Sequence, residues 1–411
     1  MALNIVWFAF FAIALGIACA KFAVTGDAQI FRTLGEGVFD AAKTSITDVA
    51  IPLAGAMIFF LGLLNIGERA GVVNRLSRLL GPFFRRLFPG VPRDHPATGH
   101  MVMNFSANLL GLDNAATPFA LKAMDSLQTL NPDKETASDA QIMFLVLHTS
   151  GLTLIPLTVI AFRASLGSVE PAAIFVPCAL ATVSSTIMSI LVMTVVQRIR
   201  IDWVLALGLL CLAGVVAALL VTVSYMGEAQ RSTFSQVSGN LLLLLLIVGF
   251  LTAGLVKKVP LFDAFIDGAK EGWAVVVRIM PYLVGMLVGI RVFRDSGALD
   301  YVVAGLKWAI GGLGINTDFT PALPVALMRP FSGSGSRGLM LDIMKHYTPD
   351  SFPGRLASIM QNSAETTFLI IALYFGSVGI KKVRYAIWTG LLADLLGVVC
   401  AIVIGYIFFH H

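Results

Sequence analysis

Glu365 is the residue with the most chemistry to explain. It stands in QNSAETT (Gln361–Thr367), inside an apolar run of about 20 residues. A carboxylate at membrane depth is costly and marks a solute, ion or proton site. A second polar interruption, HTSG at His148–Gly151, breaks another apolar run near its middle. Where a membrane helix breaks, the freed carbonyls and the N-terminus of the following half-helix become ligands for ions and polar solutes. Pro156 strengthens the first break, because it has no N–H to give the preceding turn.

Two further segments gather polar groups in apolar surroundings. MNFSANLLGLDNAATP (Met103–Pro118) holds Asn104, Ser106, Asn108, Asp113, Asn114 and Thr117. An unsatisfied amide or hydroxyl in hydrocarbon costs roughly 2–7 kcal/mol, so these groups must face protein, water or a solute. RPFSGSGSRG (Arg329–Gly338) is glycine-rich, which lets backbone N–H and C=O groups approach a ligand closely. The predicted solute-binding set is therefore Asn104, Ser106, Asn108, Ser332 and Ser334 at these segments. From the two breaks it adds His148, Thr149, Ser150, Gln361, Asn362, Ser363, Glu365 and Thr366, with Glu365 also coupling an ion.

Each polar residue also has a plainer reading. Taken singly, the hydroxyls of Ser106, Thr117, Thr153, Thr366 and Thr367 bond back to the preceding turn or join neighbouring helices. The clustering is what points to a ligand. His148 serves equally as a hydrogen-bonded packing residue, and Arg329 and Asp113 as ends of helical hairpins that pair or cap. Lys122, Asp125, Asp342 and Lys345 read as a solvated helix face. GSGSRG lacks both the preceding strand and the Gly-Lys-Ser/Thr ending of a phosphate loop. No Gly-x-Ser-x-Gly elbow or His-Glu-x-x-His helix is present, so no enzyme is expected.

The elements that must position these groups follow from composition. Of 411 residues, 57% are hydrophobic and 13% charged, too little charge for the surface of a soluble domain. Spans are predicted at Leu3–Val24, Asp48–Gly67, Ala140–Arg163, Pro171–Val196, Trp203–Tyr225, Gly239–Val256, Ala274–Val292, Ser358–Gly376 and Tyr385–Phe409. The first has no basic n-region and an apolar stretch longer than a signal peptide's, so it reads as a retained span. Ile30–Lys43, Gly67–Phe88, Phe262–Gly272 and Asp295–Ile310 are amphipathic and read as interfacial helices. His100–Leu130 and Pro321–His346 are too interrupted to cross lipid and too apolar for solvent, which is the pattern of re-entrant hairpins. Cys19, Cys178, Cys211 and Cys400 lie in apolar runs without ligand spacing, so neither a disulfide framework nor a metal site is expected.

The chain repeats itself. FDAAK (Phe39–Lys43) returns as IDGAK (Ile266–Lys270), ERAGV (Glu68–Val72) as RDSGA (Arg294–Ala298), and NFSAN (Asn104–Asn108) as PFSGS (Pro330–Ser334). FLVLHTSGLT (Phe144–Thr153) then answers SIMQNSAETT (about Ser358–Thr367), and the first-half counterpart of Glu365 is about Leu152. With four spans in each half and Trp203–Tyr225 between them, the halves are inverted in the membrane. The predicted units are residues 1–197, 198–238 and 239–411. The fold class is thus all-α integral membrane, with two inverted repeats, re-entrant hairpins, broken transmembrane helices and interfacial amphipathic helices. Net charge is +5, and the cations from Arg69 to Arg93, with Lys134, Arg198, Arg200, Lys257, Lys258, Lys381, Lys382 and Arg384, fall on one side if the N-terminus is cytoplasmic. Arg294, Lys307, Arg337 and Lys345 then fall on the other. Basic residues at span ends give no reason to expect nucleic acid. His410 and His411 read either as native residues or as the scar of a tag.

The first half, through NFSANLLGLDNAATPFALKAM and FLVLHTSGLTLIPLTVIAFR, resembles spore maturation protein A. The second, through LMRPFSGSGSRG and GRLASIMQNSAETTFLIIALYFGSVGIKK, resembles spore maturation protein B. Both resemble the wider nucleoside-recognition or gate-domain group, which includes parts of concentrative nucleoside transporters and of the ferrous iron transporter. That resemblance implies inverted repeats and broken helices around a central polar site, with hairpin tips at Asn104–Asn108 and Ser332–Ser336 and breaks at His148–Ser150 and Gln361–Thr366. It implies a bacterial inner-membrane transporter or channel for a small polar solute, coupled to a proton or sodium ion and without a resident cofactor. Because only the second half keeps the carboxylate, a symmetric two-carboxylate ion site is not expected. The alternative is a non-transporting scaffold that recruits a cell-wall enzyme in envelope or spore maturation. An intramembrane enzyme is the third reading. Homo-oligomers are expected in either main case.

Overall fold

The computed structural model describes residues 2–410 apart from Arg93, Leu112, Leu313 and Ile315, and the side chains of 2–6, 113–115, 118, 228, 229, 232 and 278 stand outside it. The sequence-predicted roles of Arg93, Asp113, Asn114 and His411 therefore lie outside the described residues. The first half contains α1 (Ala2–Thr25), α2 (Gln29–Thr44), α3 (Ile51–Arg69), α4 (Val72–Leu87), α5 (Pro96–Leu109), α6 (Asp113–Leu130), α7 (Asp139–Thr149), α8 (Leu157–Ser165) and α9 (Phe175–Val196). After α10 (Trp203–Ser224) the second half contains α11 (Glu228–Val256), α12 (Leu261–Asp295), α13 (Ala298–Gly311), α14 (Leu323–Met328), α15 (Gly333–Tyr347), α16 (Phe352–Asn362), α17 (Thr367–Ser377) and α18 (Ala386–Phe409).

Among the described residues 7 helices are long and apolar enough to cross a membrane. The interrupted pairs α7/α8 and α16/α17 stand where the other two predicted spans fall. The outer helices α10 and α11 leave Leu207, Leu210, Val215, Leu241, Leu244 and Val248 exposed, the surface expected where lipid is the solvent. Two predicted interfacial helices are corrected. Ile30–Lys43 does not stop at the interface but runs on through a π turn, Ser45–Ala50, into α3, so that 29–69 is continuous. Pro52 has no N–H for the carbonyl four residues back, and the helix widens ahead of it instead of ending. Phe262–Gly272 is likewise the first part of α12, since no breaker separates it from the span that follows.

Equivalent helices of the two halves run antiparallel, as inverted duplication requires. Along α3 and α12 the contacts pair Met57 with Gly272, Gly62 with Phe265 and Asn65 with Gly268. Asn65 Nδ2 donates to Ala264 O at 2.7 Å. The two aspartates of the FDAAK and IDGAK motifs close the ends of this crossing: Asp267 pairs with Arg69 at 2.8 Å and Asp40 with Arg291 at 3.5 Å. In the same sense, Ser185 of α9 meets Gly397 of α18, while Gln197 reaches Tyr385.

Asp342 corrects a second expectation. It is not on a solvated face: α15 packs on α12, and Asp342 is buried in a bidentate ion pair with Arg294, with Nε at 3.0 and 2.8 Å from the two carboxylate oxygens. Lys122, Asp125 and Lys345 are exposed, as expected.

A buried ion pair locks the loop after α8 to the loop before α16. Arg163 is fully buried and donates to Pro349 O and Asp350 Oδ1, both at 2.6 Å, and to Ser168 Oγ at 3.1 Å. Asp350 also accepts from Ser168 Oγ at 2.7 Å and from the Val169 N–H at 2.8 Å. Burial pushes its carboxyl up, but the Ser168 hydroxyl, the Val169 N–H and Arg163 together hold it below the ordinary value. A depressed folded-state value stabilises above the unfolded value of about 4, and that stability is lost as pH falls through the folded value. Thermal unfolding in detergent should therefore show an acid-side loss of stability below about pH 4 that Asp350→Asn makes shallower. An unchanged acid limb would refute the assignment.

Candidate functional site

The two interrupted helices are built alike. Helices α7 and α16 each have 11 residues, start at a serine cap (Ser138 and Ser351) and close on a serine (Ser150 and Ser363). Counted from those closing serines, Leu152 stands opposite Glu365. Each break is followed by a half-helix, α8 beginning after Pro156 and α17 after Thr366.

The breaks meet. The Glu365 N–H donates to Thr149 O at 2.9 Å, and Gly151 lies against the Ala364 backbone. Each break also holds one hairpin tip: the Leu154 N–H donates to Leu109 O at 3.0 Å, and the Phe368 N–H to Pro330 O at 3.1 Å. These three N–H groups at the interruptions are thus paired with protein carbonyls, which hydrocarbon requires. Gly151 has φ +65°, and a Cβ there would lie 3.3 Å from the Ala364 carbonyl carbon. Gly151→Ala should lower stability by about 1–2 kcal/mol from the left-handed backbone alone, read as a lower unfolding midpoint. No change would show that Gly151 does not hold the left-handed conformation.

His148 organises the first tip. Asn104 Nδ2 donates to Ala116 O at 2.7 Å, which turns Asn104 Oδ1 toward His148 Nδ1 at 3.0 Å. With its proton on Nδ1 the imidazole donates to Asn104 Oδ1, and Nε2 accepts from the Tyr374 hydroxyl at 3.0 Å; with the proton on Nε2 it donates to that hydroxyl, and Nδ1 accepts from the Asn108 amide. The Asn108 amide lies 3.1 Å from Nδ1. Phe105, Phe144 and Tyr374 pack in sequence beside the imidazole, with centroid separations of 5.7 and 6.3 Å, and hold the ring in place.

Arg329 organises the second tip. Its Nε donates to Ala364 O at 2.7 Å, and a terminal nitrogen lies 3.2 Å from Glu365 Oε2. Ser332 caps α15 by accepting the Gly335 N–H at 3.0 Å, with Ser334 Oγ 3.2 Å away. Gln361 Oε1 accepts from Ser336 at 2.6 Å.

Between these groups lies a cavity of about 920 Å³, lined by both tips, both breaks and Tyr282 of α12. Of the predicted residues, Asn108, His148, Ser332, Ser334, Gln361, Asn362, Glu365 and Thr366 line it. Asn362 Nδ2 has no protein partner. The other five do not reach the cavity. Asn104 is a support for His148; Ser106 is buried with its hydroxyl unpartnered. Thr149, Ser150 and Ser363 bond back to the carbonyls of Val146, Leu147 and Met360, as hydroxyls at helix ends do. Sequence reasoning left out Tyr374, which had no signal inside an apolar run. It also left out Arg329 and Arg337 at the cavity wall, and Asp394, a carboxylate within a predicted span that the rule applied to Glu365 would have found.

Comparison with known proteins agrees with this architecture. The family model described as Gate: Nucleoside recognition matches residues 50–166 and 276–381, one segment in each half. Spore maturation protein B of Bacillus subtilis (strain 168) is 49% identical over 165 residues, 40% of this chain and 91% of that protein. Spore maturation protein A of the same organism is 40% identical over 189 residues, 46% of this chain and 92% of that protein. No solved structure matches. A pair of cavity-lining halves, each with the break and the tip that the family model spans, places this chain in the nucleoside-recognition Gate family, as a fusion-like relative of spore maturation proteins A and B.

Proposed function

We propose that this multi-pass membrane protein is a bacterial inner-membrane transporter or channel that carries a small polar solute through the cavity between its two halves. The observation that carries the reading is that polar groups of both halves, among them His148, Asn362 and Glu365, line one cavity of about 920 Å³. Sites for small molecules fall in this size class, with a few placed polar groups on largely apolar walls. In this reading α5–α6 and α14–α15 are re-entrant hairpins, the N-terminus is cytoplasmic, and relative movement of the two halves exposes the cavity alternately to each side. A proton or sodium gradient drives the movement, with Glu365 as the solute-facing carboxylate. The family's name makes nucleosides the first class to test.

The test is uptake or efflux of candidate solutes in proteoliposomes. Glu365→Gln and Asn362→Ala should each lower the rate about tenfold or more, the effect of losing one charged or amide contact to a solute. Transport unaltered in both variants removes them from the site. The second reading, a scaffold that recruits a cell-wall enzyme, is favoured by a basic pocket of about 770 Å³ where α4 meets the start of α10, walled by Arg85, Arg86, Arg198 and Arg200. It requires envelope phenotypes that follow charge reversal there and ignore the central cavity.

A further inference from the structure

Asp394 lies within α18 and is 5% exposed. Its Oδ2 is 2.5 Å from Thr367 Oγ1 at the start of α17, while Oδ1 has no hydrogen-bond partner. No ion pair among the described residues includes it. Arg329 acts on it electrostatically but is already committed to Ala364 O and Glu365. An ionised carboxylate so placed is strongly unfavourable, and its charge has to be cancelled by something that binds there.

A second observation shows where. Ser185 Oγ on α9 is also buried without a partner. It faces the same strip of α18: a Cβ on Gly397, one turn beyond Asp394, would lie 2.7 Å from Ser185 Oγ and 3.0 Å from Ser363 O, the carbonyl at the second break. At the first break the contact from α9 is neutral, with Thr182 donating to Thr153 O at 2.9 Å. Among the described residues, only the second break has a carboxylate behind it as well as one in front.

We propose that Asp394, Ser185 and the Ser363 carbonyl bind one monovalent cation, a proton or a sodium ion, which neutralises Asp394 and fastens α18 to the second break. The proposal rests on the transport reading and deepens it: Glu365 faces the solute, and the driving cation sits behind it. A proton on Oδ1 supplies the donor that the unpartnered oxygens lack; a sodium ion takes the same oxygens as ligands, as broken helices provide. Arg329 and Glu365 are the charged groups that act on Asp394. The elements packed on α18 also bring His148, Tyr374, Cys178 and Cys211, with Arg355 over the Phe409 ring and Arg231 bonded to backbone carbonyls.

Thermal unfolding of the purified full-length protein in detergent, titrated with sodium against choline across a range of pH, tests this, together with its infrared spectrum. A sodium-dependent rise in midpoint that Asp394→Asn abolishes identifies sodium. No sodium effect, with a protonated-carboxyl band and a pH dependence that both vanish in Asp394→Asn, identifies the proton. Ser185→Ala, which removes only a hydroxyl, should weaken the sodium midpoint about tenfold, or shift the pH midpoint correspondingly. Identical responses to sodium and pH in wild type, Asp394→Asn and Ser185→Ala overturn the proposal. None of these readouts needs a moving solute, so a failed uptake assay and a failed cation site are told apart.

Discussion

In the transport reading, Arg329→Met is expected to reduce solute uptake at least about a hundredfold; it should also lower unfolding stability by about 2–4 kcal/mol. The guanidinium joins the second hairpin to the second break through Ala364 O at 2.7 Å and Glu365 at 3.2 Å. Removing it strips a buried carbonyl of its donor and leaves a carboxylate uncompensated. This loss falls about 1 kcal/mol below that of a fully buried pair because Glu365 is 38% exposed and keeps some water. The decisive measurement is the double variant with Glu365→Gln. Stability should recover by more than about 0.5 kcal/mol beyond additivity, while uptake stays low. Strict additivity would mean that the two side chains do not act as a pair.

Gly268→Val is expected to be strongly damaging although it lies outside the cavity. At this point α12 crosses α3 so closely that even a Cβ would stand 2.4 Å from Leu61 O and 2.6 Å from Asn65 Cβ. Overpacking a core ordinarily costs about 1–3 kcal/mol, and more where the obstacle is backbone, which cannot rotate away. Close approach through small residues is also the main source of affinity between helices in lipid, so the variant loses packing and the Asn65–Ala264 bond together. Gly285→Ala on the same helix meets nothing within 4 Å and should be neutral or stabilising by up to about 1 kcal/mol. Equal unfolding midpoints for the two variants would contradict this crossing.

Much of the scaffold was legible because lipid imposes a simple grammar. Apolar length gave the spans, and polar interruptions at His148–Gly151 and Gln361–Thr367 gave the breaks, since hydrocarbon tolerates such groups only where protein, water or a solute meets them. The repeat was visible in short motifs whose aspartates, Asp40 and Asp267, turn out to hold equivalent ends of one crossing. What the sequence hid is of a different kind. Hydropathy distinguishes lipid from water but not lipid from protein, so Asp342 read as a solvated residue while it faces Arg294. A hydroxyl has the same letter whether it faces a cavity or bonds back to its own turn, which is why Thr149, Ser150 and Ser363 were placed in the site with Ser332 and Ser334. The tyrosine that completes the His148 network came from the other half of the chain, 226 positions away, and no local pattern announces such a partner.

The amide-to-carbonyl links at the centre decide which parts can travel together. Leu154 to Leu109 and Phe368 to Pro330 fasten each hairpin to its own interrupted helix, whereas Glu365 to Thr149 is one of the rivets between the two assemblies, with Tyr374 to His148 and Arg163 to Asp350 as others. In the transport reading, a swing of one assembly past the other springs those rivets and leaves the two hairpin links shut, which makes the crossing point a fulcrum. Deuterium uptake at the Glu365 amide then becomes a clock for the proposed cycle, expected to be slow without solute and faster with it.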